Sequence, residues 1–222
     1  LVGAGLVKTE FIFPLDDRPT PQCHASTITE PGEGYAIAWF GGQREGSPDV
    51  GIWLSRYDGS GWSAPEEIAS GLGMDIKRNP CWNPVLFQPR EGPLILFFKV
   101  GPNPRAWCGM MKTSLDNGKT WSRAERLPEG MLGPIKNKPV ELRDGTLVCP
   151  TSDESEGWRV FFNLTQDLGK TWTKIGPLND GKQIAAIQPT LLMHPDGRLQ
   201  AFCRTRQRKI AELWSSDGGV SW

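Results

Sequence analysis

Ser114-Leu115-Asp116-Asn117-Gly118-Lys119-Thr120-Trp121 is the stretch that decides the fold, because it recurs. The pattern S-x-D-x-G-x-x-W returns at residues 165–172, with Thr165 in place of Ser, and again at 215–222. A fourth copy at residues 55–62 keeps Ser55, Gly59 and Trp62 but carries Tyr57 at the Asp position. The closing tryptophans stand at 62, 121, 172 and 222, a period of 59, 51 and then 50 residues. A period in that range marks a repeat architecture. Within a copy the Asp carboxylate accepts backbone N–H bonds in a tight turn, Gly supplies a positive φ, and Trp inserts an indole between neighbouring sheets. These roles are structural; they identify the scaffold and leave the chemistry to other residues.

Between the boxes one apolar pattern repeats, with three strands running into each box. They are expected at residues 24–30, 35–40 and 50–57; at 84–88, 94–100 and 107–114; at 139–142, 146–150 and 160–165; and at 190–193, 199–204 and 210–215. Asp144-Gly145 and Asp196-Gly197 supply hairpin chemistry between first and second strands. A short segment after each of the first three boxes, such as residues 64–69, reads as a fourth, outer strand. Four-stranded units at this period predict an all-β protein, a β-propeller built from four-stranded blades, about four of them in one domain over residues 1–222. No sustained 3.6-residue apolar period occurs, so helices are expected to be scarce.

Composition narrows the function. Lys plus Arg and Asp plus Glu balance at 25 each, so the net charge implies no polyanion partner, nucleic acid included. No apolar run approaches the length of a membrane span. Five cysteines, Cys23, Cys81, Cys108, Cys149 and Cys203, are sparse and lack C-x-x-C pairing, so neither a zinc site nor a disulfide framework is implied, and buried thiols are expected. No metal or cofactor motif is present. Leu1 to Val7 is compatible with the tail of a removed signal peptide, and so with a secreted or periplasmic setting. Asn163-Leu164-Thr165 matches a glycosylation sequon, although Thr165 also opens a box.

The boxes and the motifs between them resemble the sialidase superfamily, specifically sialidase-like BNR/Asp-box repeat proteins. The resemblance runs from about Cys23 to Trp222. It is carried by Cys23-His24-Ala25-Ser26-Thr27, by Trp39-Phe40-Gly41-Gly42 with Glu45 and Asp49, by Trp82-Asn83-Pro84-Val85-Leu86-Phe87, by Gly133-Pro134-Ile135-Lys136-Asn137-Lys138-Pro139 and by Ile187-Gln188-Pro189. It implies a six-bladed propeller whose inner strands converge on a pocket for an acidic sugar. On that reading the last two blades follow Trp222; alternatively, residues 10–13 supply the strand that blade four lacks and close a four-bladed ring.

The resemblance also implies site residues. Arg204 stands where a sialidase places one of three arginines that clamp the substrate carboxylate, a bidentate match. His24 occupies the position of another, where an imidazole serves as general base or hydrogen-bond donor instead. Glu45 or Asp49, in the Gly-rich loop at residues 41–49, is the candidate acid/base. Asn83 and Gln188 stand at two carboxylate positions, and amides there hydrogen-bond hydroxyls without shuttling protons. Trp82 is placed to stack on a sugar ring, and Lys99, Lys136 and Lys138 to add positive potential. The tyrosine nucleophile of sialidases is expected beyond residue 222, since Tyr35 and Tyr57 sit in a middle strand and a box. The implied activity is exo-sialidase-type glycoside hydrolysis on an acidic glycan or oligosaccharide. The alternatives are a uronic-acid-directed hydrolase or lyase with His24 as base, and a non-catalytic glycan-binding propeller.

Overall fold

The computed structural model of the protein describes residues 5, 8–32, 34–72 and 78–222. Four antiparallel sheets follow one another along the chain. The first holds β1 (Gln22–Thr29), β2 (Tyr35–Gly42), β3 (Gly51–Tyr57) and β4 (Glu66–Ala69). The second holds β5 (Cys81–Phe87), β6 (Leu94–Val100), β7 (Cys108–Ser114) and β8 (Glu125–Arg126). The third holds β9 (Val140–Glu141), β10 (Leu147–Asp153), β11 (Arg159–Thr165) and β12 (Thr173–Ile175), and the fourth β13 (Ala186–Met193), β14 (Leu199–Thr205) and β15 (Ile210–Ser215). Neighbours in sequence are neighbours in each sheet, so every sheet is one blade, and the four are arranged as a β-propeller.

The outer strands expected after the first three boxes are β4, β8 and β12. Among the described residues the only helix is a single 3₁₀ turn, Leu15–Asp17. Residues 10–13 do not complete blade four. Glu10 accepts a hydrogen bond from the Trp62 indole (3.2 Å) and Phe13 packs on Trp39 with ring centroids 5.6 Å apart, so this segment covers blade one. Most of the stretch from Leu1 to Val7 lies outside the described residues.

Burial follows the two-residue strand period at the edges and fails at the centre. In β14, Leu199, Ala201 and Cys203 are buried while Phe202 and Arg204 are exposed. In β6 every residue is buried, because that strand is covered by blades on both faces. Phe97 and Phe98 point to opposite faces and enter two different cores, each burial worth about 1.5–3 kcal/mol. A third core joins blades three and four through Val148, Phe162, Leu191 and Leu199.

The boxes work as the sequence implies, with two additions. In the second, Ser114 Oγ donates to Asp116 (2.7 Å) and accepts the Gly118 N–H (2.8 Å), while Asp116 accepts the Thr120 N–H (2.8 Å). Gly118 has φ 82°, and a Cβ there would meet Leu94 at 3.3 Å. The residue before the glycine is left-handed too in three of the four boxes: Asn117, Leu168 and Gly218 have φ of 60°, 57° and 73°. In the degenerate first copy the carboxylate has moved one residue along. Asp58 accepts the Ser60 and Gly61 N–H groups at 2.9 and 3.1 Å, replacing the Asp that Tyr57 displaces.

All five cysteines are free; Cys81, Cys149 and Cys203 are buried, Cys108 is partly buried and Cys23 is exposed. Asn163 is fully buried, and its side-chain oxygen accepts the Leu132 and Gly133 N–H groups at 3.3 and 3.0 Å. The folded protein therefore offers no glycosylation acceptor there.

Candidate functional site

Three strand pairs are equivalent across the blades: His24 with Phe40, Trp82 with Lys99, and Ile187 with Arg204. Each lies where an inner strand begins and a second strand ends. The boxes close the third strands at the other end, roughly 20 Å away along a seven-residue strand. One rim thus holds the boxes and the opposite rim holds the candidate site.

On the site rim each inner strand breaks register straight after its pair, between His24 and Thr27, Trp82 and Val85, and Ile187 and Thr190. The residue that follows is left-handed in every case: Ala25 at φ 50°, Asn83 at 42° and Gln188 at 56°. Blade three repeats the device with Lys136 at 65°, between Ile135, whose N–H reaches the Pro150 carbonyl (2.9 Å), and β9. A non-glycine residue in this region costs about 1–2 kcal/mol, least for Asn. Such bulges re-aim side chains at the ends of strands.

His24, Phe40, Arg44 and Glu45 line one cavity of about 260 Å³ at this rim. The imidazole stands edge-on to Phe40, ring centroids 5.3 Å apart at 76°. Glu45 and Arg44 reach the cavity from the Gly-rich loop, which folds over Trp82. Gly46, at φ 80°, makes that approach possible, since a Cβ there would stand 3.3 Å from the indole.

Asp49 belongs to the loop's framework. Its carboxylate accepts the Gln43 N–H (2.8 Å) and its carbonyl accepts from Arg78 (2.9 Å). Trp82 is 6% exposed, donates its indole N–H to the Gly101 carbonyl (2.8 Å) and packs between Phe40 and Trp107. It forms a floor under the loop and has no open face for a sugar. Asn83 and Gln188 are half-buried in their bulges, and Asn137 donates to the Gln188 and Pro189 carbonyls (both 3.0 Å), tying blade three to blade four.

The lysines depart from expectation. Lys99 is wholly buried, donating to the carbonyls of Phe98 (3.4 Å) and Pro134 (2.9 Å), and burial lowers its pKa to about 7. It pins the segment that leads to Lys136 and adds no charge to a pocket. Lys138 donates to the Ile28 carbonyl and lines a separate cavity with Glu30, Tyr35 and Gln88, near the far end of β1 from His24. Burial lowers its pKa as well.

Arg204 is exposed on the rim with its guanidinium 4.9 Å from the centre of the Trp158 ring, and it does not line the His24 cavity. Arg206 sits 4.6 Å from the same ring. Neither Trp158 nor Arg206 stands out in the sequence reading. The signal available was the R-x-R spacing, which at the end of a strand puts both cations on the same side of the chain. Tyr35 and Tyr57 face each other at 6.2 Å by the first box, at the rim opposite His24. No cluster suited to a metal ion occurs among the described residues.

The sequence profile of the BNR repeat-like domain family matches residues 34–222. The anhydrosialidase of Macrobdella decora is 31% identical over 123 residues, which is 50% of this chain and 16% of that protein. The leech intramolecular trans-sialidase, solved with 2,7-anhydro-Neu5Ac, superposes with a TM-score of 0.73 at 15% identity over 97% of this chain and 53% of its own. The NanB sialidase of Streptococcus pneumoniae gives 0.73 at 15% identity over 96% of this chain and 53% of its own. The chain thus spans about half the length of these structures and a smaller share of the curated relative. A sialidase-type propeller and a matching profile over most of its length make this chain a sialidase-like BNR repeat protein, a member of the BNR repeat-like domain family.

Proposed function

We propose that the protein acts on terminal acidic sugars as a glycoside hydrolase of the exo-sialidase type. One observation carries the reading: His24, Arg44 and Glu45 line a single cavity on the rim where Arg204 presents a guanidinium with no carboxylate partner among the described residues. A carboxylate on the sugar supplies the partner that Arg204 lacks, through a bidentate charge-assisted pair. Glu45 is the acid that delivers a proton to the leaving oxygen, and His24, which lines the same cavity, hydrogen-bonds the sugar. Asp49 holds the loop that carries Glu45, so its contribution is positional. The anhydro-sugar bound by the leech enzyme belongs to the same chemical class.

Release of a fluorophore from a fluorogenic sialoside tests the reading, with Glu45→Gln as control. Turnover lost in Glu45→Gln but retained in Asp49→Asn supports the assignment. Binding of free sialic acid with no turnover in the wild type reduces the function to glycan binding, for which the amides of Asn83 and Gln188 are suited. An ultraviolet-absorbing unsaturated product from a uronide, abolished by His24→Ala, replaces hydrolysis by elimination.

A further inference from the structure

The overall charge of the protein is zero, yet Arg204-Thr205-Arg206-Gln207-Arg208-Lys209 holds four cations in six residues and no acid. All four belong to the end of β14 and the turn into β15, on the same rim as His24 and Glu45. The corresponding loops of the other blades differ. Over the matching span blade one carries Arg44, Glu45 and Asp49, blade two Lys99 and Arg105, and blade three Asp153, Glu154 and Glu156. The basic turn is therefore a property of blade four and not of the scaffold.

A charge run on a surface is ordinarily a solvated face, but this one is built. Thr205 Oγ1 donates to the Lys209 carbonyl (2.6 Å) and accepts its N–H (3.3 Å), closing the turn on itself. The Arg206 N–H reaches the Ala185 carbonyl (3.0 Å), and Gln207 donates to the Gln183 carbonyl (3.2 Å), so the turn is laced to the preceding loop. Arg204 and Arg206 lie over Trp158 at 4.9 and 4.6 Å from the ring centre, and neither guanidinium donates a hydrogen bond among the described residues.

Charge compensation is missing. None of the ion pairs among the described residues includes any of the four cations. The nearby acids are engaged elsewhere: Asp153 and Glu156 pair with Arg159 at 3.6 and 2.9 Å, and Asp180 accepts the Lys182, Gln183 and Ile184 N–H groups. Glu154 is half-buried on the adjacent loop.

We propose that the turn at residues 204–209 is a subsite for an extended anionic oligosaccharide, one with acid groups on several successive sugars. Two guanidinium groups held over Trp158 and two further cations on the same turn match a row of carboxylates or sulfates, and the ordered backbone of the turn lowers the entropy lost on binding. A nucleic-acid strand fits less well, because the aromatic ring at the turn, Trp158, is already engaged by two guanidinium groups. The choice of a glycan rests on the function proposed above; the anion site itself rests on the turn.

The test is fluorescence anisotropy on the intact protein with labelled hexagalacturonate and, in a second arm, a sulfated chondroitin hexasaccharide. At least one of them is expected to bind roughly tenfold more tightly than neutral cellohexaose, and to weaken severalfold between about 0.05 and about 0.5 M salt. Arg208→Gln combined with Lys209→Gln is expected to weaken it roughly fivefold, and adding Arg206→Gln to extend the loss to about twentyfold, with unchanged melting temperature. The Arg208→Gln/Lys209→Gln protein keeps its affinity for free sialic acid. Equal binding by the triple variant and the wild type, or equal binding of the neutral hexamer, overturns the proposal. Tighter binding of oligouridylate than of either acidic hexamer overturns it in favour of nucleic acid. Hexamers that bind where sialic acid does not leave this subsite standing and remove the sialidase-type reading; the reverse pattern does the opposite.

Discussion

Trp222, the last residue of the fourth box, lies flat against Phe162 of the preceding blade, ring centroids 4.0 Å apart and planes 11° apart. Two further boxes obey the same rule. Trp172 meets Phe97 of blade two edge-on at 6.2 Å, and Trp121 packs into the core shared by blades one and two. These three boxes therefore wedge their blades against the ones before them. Trp62 has instead Tyr57 of its own blade at 5.3 Å and the Glu10 carboxylate.

This difference sets an expected contrast in stability. Trp172→Ala removes an inter-blade wedge and is expected to cost about 3 kcal/mol in urea unfolding. Trp62→Ala is expected to cost about 1 kcal/mol, since its partners are local and partly solvated. Equal losses would show that the boxes act within blades and not between them.

The box carboxylates give the protein an acid limit. Asp116, Asp167 and Asp217 are held at about 2, against an ordinary 3.8, chiefly by the hydroxyls of Thr120, Thr171 and Ser221 and then by the N–H groups of the same residues. A folded pKa below the unfolded one gives a contribution that is complete above about pH 4 and lost as pH falls toward 2. Urea midpoints measured from pH 5 to pH 2 are expected to drop in that window. The drop should shrink in Asp116→Asn and Asp167→Asn, which start less stable; an unchanged acid slope in both would contradict the assignment.

Lys99 produces a dependence of the same sign at higher pH. Burial lowers its pKa from 10.5 to about 7, so from pH 7 upward the unfolded chain holds a proton that the folded protein releases. Stability from this group rises with pH across that interval. The buried thiols of Cys81, Cys149 and Cys203, raised by burial, work against it above about pH 9. Lys99→Met is expected to remove the rise between pH 7 and about 8.5. A rise that persists in the variant must come from another group.

Much of the scaffold was legible because box and strand signals are local. Residues 94–100 and 210–215 are strands with the bounds expected, since turns flank them on both sides. Inner strands were read too short: β5 begins at Cys81 rather than Pro84, and β13 at Ala186 rather than Thr190. In both, Asn83-Pro84 and Gln188-Pro189 look like strand stops, whereas each Pro sits in a bulge that lets the ladder resume. The site was less legible, because side-chain direction depends on those bulges. Trp82 reads as a sugar platform and is a packed floor; Lys99 reads as pocket charge and is a buried strut. The Arg204–Trp158 contact crosses two blades and leaves no local sequence signal.

The loop separates the two carboxylates by role. Asp49→Ala frees the Gln43 N–H and is expected to cost about 1–2 kcal/mol of stability while leaving acidic-sugar binding within about twofold. Glu45→Gln is expected to leave the urea midpoint unchanged. A reversal, with Asp49→Ala stable and Glu45→Gln unfolded, would exchange the assignments.

The central claim is that Arg204 receives the acid group of a sugar at the bulged rim. Isothermal titration of free sialic acid into the wild type and Arg204→Gln measures it most directly. Loss of one charge-assisted pair is worth about 1.5–3 kcal/mol, so affinity is expected to fall at least tenfold with the melting temperature unchanged. Equal affinity in the two proteins would contradict the account.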